Sequence, residues 1–359
     1  MLVNIQLLRF LAALAVVFTH GYDHLVAANG PEDGIFGFIS QFGYAGVDVF
    51  FVISGFIIWH TTKKLEGWKD ISSFIYKRAT RIYTGYWPYM LMACMIFWLA
   101  KSDIFVRIDL LKSTLLLTPN INKLILPVSW SLVYELYFYL VFAVLLFLPS
   151  NIRKNTVILL FAAVLAIQLW ALLVMNLYDP NIFKKAPPLV RFFSSPFCLE
   201  FLGGCLLAAN YHRLNISCWI LLSGAIIFTT AGLYVQEHII QDSLIKGYYR
   251  MWRIALFGSA SFMLVWFMLE MEKNGIIIVK NISIVLGNIS YSLYLCHTLI
   301  FAIIYYTGLQ TYVATKSYQE LWFFGFTLII ILYSAIHYYS IEKPLRYWAI
   351  GLIKSKVKP

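Results

Sequence analysis

The chain has 359 residues, 61% of them hydrophobic and only 13% charged, with a mean hydropathy of +0.75 and a formal net charge of +11. A soluble domain of this size carries about twice that charged fraction, so composition argues against a water-soluble enzyme and for a polytopic helical membrane protein. The positive balance, which in a soluble chain would suggest nucleic acid, is explained by basic residues held in cytoplasmic loops, and no nucleic-acid partner is expected.

Apolar runs of about 20 residues predict an all-α bundle of about ten transmembrane helices, near 4–24, 41–61, 82–100, 130–149, 156–176, 190–210, 216–235, 252–270, 283–306 and 320–340. The run at 109–118 reads as a re-entrant or interfacial piece instead of a span. The loop after the first helix, DHLVAANGPEDG, has no Lys or Arg, whereas the next, TTKKLEGWKDISSFIYKRATR, is dense in both. Lys and Arg collect on the cytoplasmic side, so both termini are expected there. Outer loops still hold Lys101, Arg107, Lys112, Lys184 and Lys185, so the orientation rests on the first two loops and the tail. Residues 1–340 read as a single transmembrane domain and 341–359 as a basic cytoplasmic tail. The five cysteines lie in or beside apolar segments without metal-ligand or CxxC spacing, so they read as small core residues, and no metal site is expected.

Five polar constellations stand out. The first helix carries Arg9 and His20, eleven residues apart, close to three full turns, so both project from one face about 16 Å apart along the axis. Ionisable groups at that depth usually face a polar interior; the alternative is that Arg9 snorkels and His20 sits at the outer interface. Span two, GVDVFFVISGF, places Asp48 near its outer end, with Gly46, Ser54 and Gly55 small enough for close helix approach. The segment YKRATRIY puts Arg78 and Arg81 on one helix face, where forked guanidiniums suit a phosphate or, alternatively, satisfy the positive-inside bias. WSLVYELYFYL sets Ser131 and Glu135 four apart, and a glutamate at that depth needs a partner. Span four runs inward, so Glu135 and His20 both fall in outer halves, where a carboxylate would orient an imidazole. ISYSLYLCHTLI aligns Ser290, Tyr294 and His297 in one polar stripe, functional or simply an interhelical contact. Glu200 is a further buried acid without an obvious local partner, and His60, His212 and His337 read as structural or interfacial.

Taken together, LLRFLAALAVVFTH, GVDVFFVISGF, FIYKRATRIYTGYW, WSLVYELYFYL, SYSLYLCH and EKPLR resemble the ordered motifs of the membrane-bound acyltransferase-3 family over nearly the whole chain. The opening NIQLLRFLAAL is most similar to the exopolysaccharide-acetylating branch. The resemblance implies a bacterial inner-membrane enzyme that moves an acyl group, commonly acetyl from cytoplasmic acetyl-CoA, onto a hydroxyl of a carbohydrate or lipid-linked glycan. The family's arginine–histidine motif falls on Arg9 and His20, its paired-arginine motif on Arg78 and Arg81, and its tryptophan–serine–leucine–glutamate motif on Trp130, Ser131, Leu132 and Glu135. One departure is visible: Thr84 stands where relatives often have a proline.

On this reading Arg78, Arg81 and Arg9 hold the donor's phosphates and His20 is the general base. Glu135 orients His20, and Ser290, Tyr294 and His297, with Asp48 and Ser131, are weaker candidates for acceptor contacts. A covalent acyl-histidine and a homodimer stay open. The rival class is a transporter or flippase of glycan precursors, which predicts internal repeats and Gly/Pro-broken helices. A non-catalytic scaffold of a polysaccharide synthesis complex is the third.

Overall fold

The computed structural model describes residues 2–25, 35–63, 65–174, 188–245, 250–314 and 319–356. The acidic first loop at 26–34, Lys184, Lys185 and the end of the basic tail at 357–359 lie outside the described residues. The described residues are helical with no strand, and eight helices are long and apolar enough to cross a membrane. The chain is an all-α polytopic membrane protein.

The principal helices are α1 (Val3–Leu25), α2 (Gly46–Thr62), α3 (Trp68–Leu99), α4 (Trp130–Leu145), α5 (Ser150–Val174), α6 (Phe197–Asn210), α7 (Cys218–Tyr234), α8 (Ser259–Lys273), α9 (Lys280–Tyr306), α10 (Gln319–His337) and α11 (Lys343–Lys356). Three of their ends run on through π turns, Val235–Ile240, Ile254–Gly258 and Tyr338–Glu342. All five cysteines are free thiols.

Three elements differ from the sequence expectation. The third span begins much earlier than 82: α3 is one helix from Trp68 to Leu99, so Arg78 and Arg81 sit about 15 and 20 Å along it instead of at its mouth. Thr84, in place of the proline, continues the helix and donates its hydroxyl to Thr80 O at 2.7 Å. Span six is broken into Pro188–Phe193 and α6, because Pro196 at the N-cap has no N–H with which to continue the preceding turn. The tail is also helical. The stretch Gln319–Leu352 runs 34 residues, about 51 Å, longer than a hydrocarbon core of about 30 Å.

The 109–118 run forms only a short helix, Leu110–Thr114. Asp109 caps it by accepting from Lys112 N at 3.0 Å, and the hydrogen bonds from Lys112 hold the Asp109 carboxyl below the usual carboxylate range. Tyr83, Tyr86 and Trp87 of α3 donate to the carbonyls of Leu115, Ser113 and Thr114, which pins the segment without spanning.

The chain separates into two interleaved compact units. The first comprises Met1–Ala12, Tyr44–Ile71 and Val141–Ile284. Its core packs Ile5 and Leu8 of α1 with Val52 and Phe56 of α2, Leu207 of α6 and Val265 and Leu269 of α8. The orphan N–H groups of Val3 and Asn4 at the start of α1 are capped by the Glu272 carboxylate at 2.8 and 2.9 Å. Close approach in span two is realised at Gly55: a Cβ there would lie 1.9 Å from Phe201 O, and one on Gly204 would lie 2.1 Å from Val52 O. Backbones of α2 and α6 therefore touch. The second unit comprises Ala13–Gly43, Ser72–Leu140 and Val285–Pro359.

Candidate functional site

The second unit gathers most of the polar motifs into two layers. The first is built on His20. Its Nδ1 lies 2.9 Å from Val16 O, one turn back on α1. A carbonyl only accepts, so Nδ1 carries the proton and Nε2 carries the lone pair. The neighbouring Gly21 brings this turn close to other aromatic helices: a Cβ there would meet ring atoms of Phe301 and Phe323 at 2.7 Å. The His20 ring stands 5.3 Å from that of His297 on α9, tilted by 53°. His297 is fully buried and repeats the same arrangement, with Nδ1 3.4 Å from Leu293 O.

Tyr294, one turn before His297, has its ring 5.9 Å away. Its hydroxyl donates to Val128 O at 2.8 Å and lies 2.8 Å from Ser131 Oγ. The serine of the WSLVYE segment is thus tied to the polar stripe of α9. Ser290, from the same stripe, is buried and donates to its own helix at Gly287 O.

The second layer lies one turn further along α4. Glu135, four residues after Ser131, accepts a short hydrogen bond from Tyr139 Oη. The Arg78 guanidinium covers the Tyr139 ring at 5.5 Å and the Phe74 ring at 5.6 Å. Arg78 and Arg81 are within electrostatic reach of each other, of Glu135 and of Tyr139. Glu135 thus sits beside the guanidiniums and Tyr139, and His20 beside Val16 O and His297. Tyr291 of α9 joins the layer by donating to Ile82 O at 3.0 Å, and Gly85 makes room for its ring. From Tyr291 to His297 along α9 is six residues, about 9 Å, so a cationic layer and an imidazole layer are stacked within one unit.

The first unit holds the other candidates. Arg9 is half-buried and donates to Gln6 Oε1 at 3.2 Å. Asp48 is fully buried in an ion pair with Arg253, whose Nε and Nη2 reach its carboxylate at 2.7–3.0 Å. Arg253 also donates to Tyr44 O at 3.2 Å and lies over the Tyr44 and Phe197 rings. Glu200 is within electrostatic reach of both members of the pair. Sequence reading missed Arg253 because a basic residue at a span end looks like an ordinary orientation signal. It missed His337 as a network member: on α10 the ring stacks on Tyr89 at 4.0 Å and sits 3.2 Å from Ser292 Oγ. Among the described residues no group of three His, Cys, Asp or Glu is placed to hold a metal ion.

Comparison with known proteins gives two relatives. The exopolysaccharide production protein ExoZ of Rhizobium meliloti (strain 1021) is 28% identical over 316 residues, covering 84% of this chain and 89% of that protein. Nodulation protein 10 of Rhizobium leguminosarum bv. viciae is 30% identical over 135 residues, 38% of this chain and 29% of that protein. No solved structure matches the chain significantly. The family described as Acyltransferase domain matches residues 2–339, which include both layers of the second unit up to the end of α10, and on that match the chain belongs to the acyltransferase-3 family.

Proposed function

We propose that this membrane acyltransferase moves an acetyl group from cytoplasmic acetyl-CoA to a hydroxyl of an exopolysaccharide or surface glycan, or of its lipid-linked precursor, in the bacterial inner membrane. The similarity to an exopolysaccharide production protein supports the acceptor class. The observation that carries the mechanism is the main-chain hydrogen bond at His20, which leaves Nε2 as the basic nitrogen. His20 Nε2 takes the proton of the acceptor hydroxyl as its oxygen bonds to the thioester carbonyl carbon. The tetrahedral oxyanion then collapses, the C–S bond breaks, and the departing thiolate takes the proton back from His20. Arg78 and Arg81 hold the phosphates of the donor, because forked guanidiniums match that anion. Glu135 and Tyr139 hold the guanidiniums in place. His297, braced by Tyr294 and Ser131, lines the acceptor side of the base.

The test is His20→Gln, which keeps a polar side chain of similar length. The expected result is loss of acetyl from the polymer, read by NMR, with an unchanged thermal unfolding midpoint. Wild-type acetyl content in that variant removes His20 from the chemistry.

A further inference from the structure

We propose that Arg346, on the C-terminal helix, is a third phosphate-binding guanidinium of the arginine layer and contacts the phosphates of the acyl donor. The proposal rests on the acyl-CoA reading above and gives a role to Arg346 of the EKPLR motif, which follows the matched region ending at residue 339.

Register carries the argument. α11 and the π turn before it touch α3 at two points. Tyr76 Oη donates to Ala349 O at 2.7 Å, and a Cβ on Gly85 would lie 3.5 Å from Glu342 Cδ. Numbering rises from 76 to 85 along α3 while it falls from 349 to 342, so the two segments run antiparallel. Arg346 lies four residues past Glu342 and three before Ala349, which sets it level with about residues 80–81 of α3. It is partly buried there and within electrostatic reach of Arg78 and Arg81.

Three guanidiniums thus converge on two carboxylates, Glu135 and Glu342, and a cationic excess remains. Among the described residues neither Arg81 nor Arg346 forms an ion pair or donates a hydrogen bond. Like charges brought together with unspent donors need an anion, and two planar forks suit phosphate oxygens. Glu342, four residues before Arg346 on the same face and nearly fully buried, attracts the guanidinium electrostatically. Phosphate chemistry has two sources here, the donor nucleotide and an anionic lipid headgroup; the proposal commits to the donor, because the arginine layer shares α9 with the imidazole layer, about 9 Å along it.

The experiment titrates CoA into the full-length protein in phosphatidylcholine nanodiscs and, separately, in phosphatidylglycerol nanodiscs. Arg346→Gln is expected to weaken CoA about 10-fold or more in both, the scale of one guanidinium–phosphate contact at about 1.4 kcal/mol per decade. Arg346→Lys keeps the charge and loses the fork; it is expected to fold and to weaken CoA about 3-fold, and it decides the matter if Arg346→Gln unfolds. Wild-type affinity in the folded variants, with Arg81→Gln still impaired, overturns the inference and leaves the acyl-CoA reading standing. A loss seen only in phosphatidylglycerol assigns Arg346 to lipid and also overturns it. Wild-type protein that does not bind CoA sinks both.

Discussion

Replacing Asp48 by Asn separates two roles for a carboxylate buried in span two. In the structure Asp48 is fully enclosed and takes three close contacts from Arg253, itself 3% exposed. The amide keeps the shape and removes the charge. Arg253 is then left in a low-dielectric interior with Tyr44 O, two ring faces and, within electrostatic reach, the buried Glu200 carboxyl, which offsets part of the loss. Breaking a buried pair from one side costs about 3–5 kcal/mol, whereas replacing both members with apolar isosteres is near neutral. That is roughly two to three and a half powers of ten in the folded-to-unfolded ratio. The assay is thermal unfolding followed with a thiol-reactive dye, since Cys205 in the same unit is fully buried and reacts only when the unit opens. Asp48→Asn and Arg253→Met are each expected to lower the midpoint strongly. Asp48→Leu with Arg253→Met is expected to recover most of the loss, a large coupling in a double-mutant cycle. A wild-type midpoint in Asp48→Asn refutes the reasoning; if acyl transfer is lost at the same time, the carboxylate acts on substrate and not on Arg253.

Four other variants probe packing within the two units. Gly55→Ala drives a methyl to within 1.9 Å of Phe201 O, a backbone atom that cannot rotate away, so a loss of about 1–3 kcal/mol or more is expected in thermal unfolding. Gly85→Ala puts the methyl 2.2 Å from the Tyr291 ring, which must leave Ile82 O; turnover is expected to fall together with CoA affinity, and unchanged affinity would detach Tyr291 from the donor layer. Tyr294→Phe removes the hydroxyl that donates to Val128 O and meets Ser131 Oγ; Ser131 still donates to Val128 O, so a loss of about 0.5–1.5 kcal/mol is expected, and Ser131→Ala, which leaves Tyr294 on Val128 O, is expected to cost about the same. Strictly additive losses in the double variant would show that the two hydroxyls are not coupled.

The fold was legible because hydropathy decides it: runs of apolar residues at about one bilayer thickness become helices whatever their neighbours, and α1, α2, α4 and α9 fall where composition sets them. The start of α3 was not, since its first three turns are polar enough to read as loop. The polar stripes were visible as spacing, which is why Ser290, Tyr294 and His297 could be named together, and Ser131 with Glu135. Spacing along one helix does not reveal which helix lies opposite. By depth Glu135 reads as a partner for the His20 imidazole; that it also neighbours Arg78, Arg81 and Tyr139 was not legible in spacing. The EKPLR motif marked Arg346 without showing what it faces, and Arg253 was hidden for a different reason. A cation at a span end satisfies the orientation rule by itself, so nothing in the sequence marks the ones that turn inward.

The group that tells the His20 ring where to keep its proton is a peptide carbonyl. Every amino acid at position 16 supplies that same oxygen, so drift at Val16 leaves the ring's tautomer untouched, and the second imidazole, set against Leu293 O, enjoys the same indifference. What has to persist is one intact turn of helix beneath each ring; whatever unwinds that turn releases the proton's address, even with both histidines still in place.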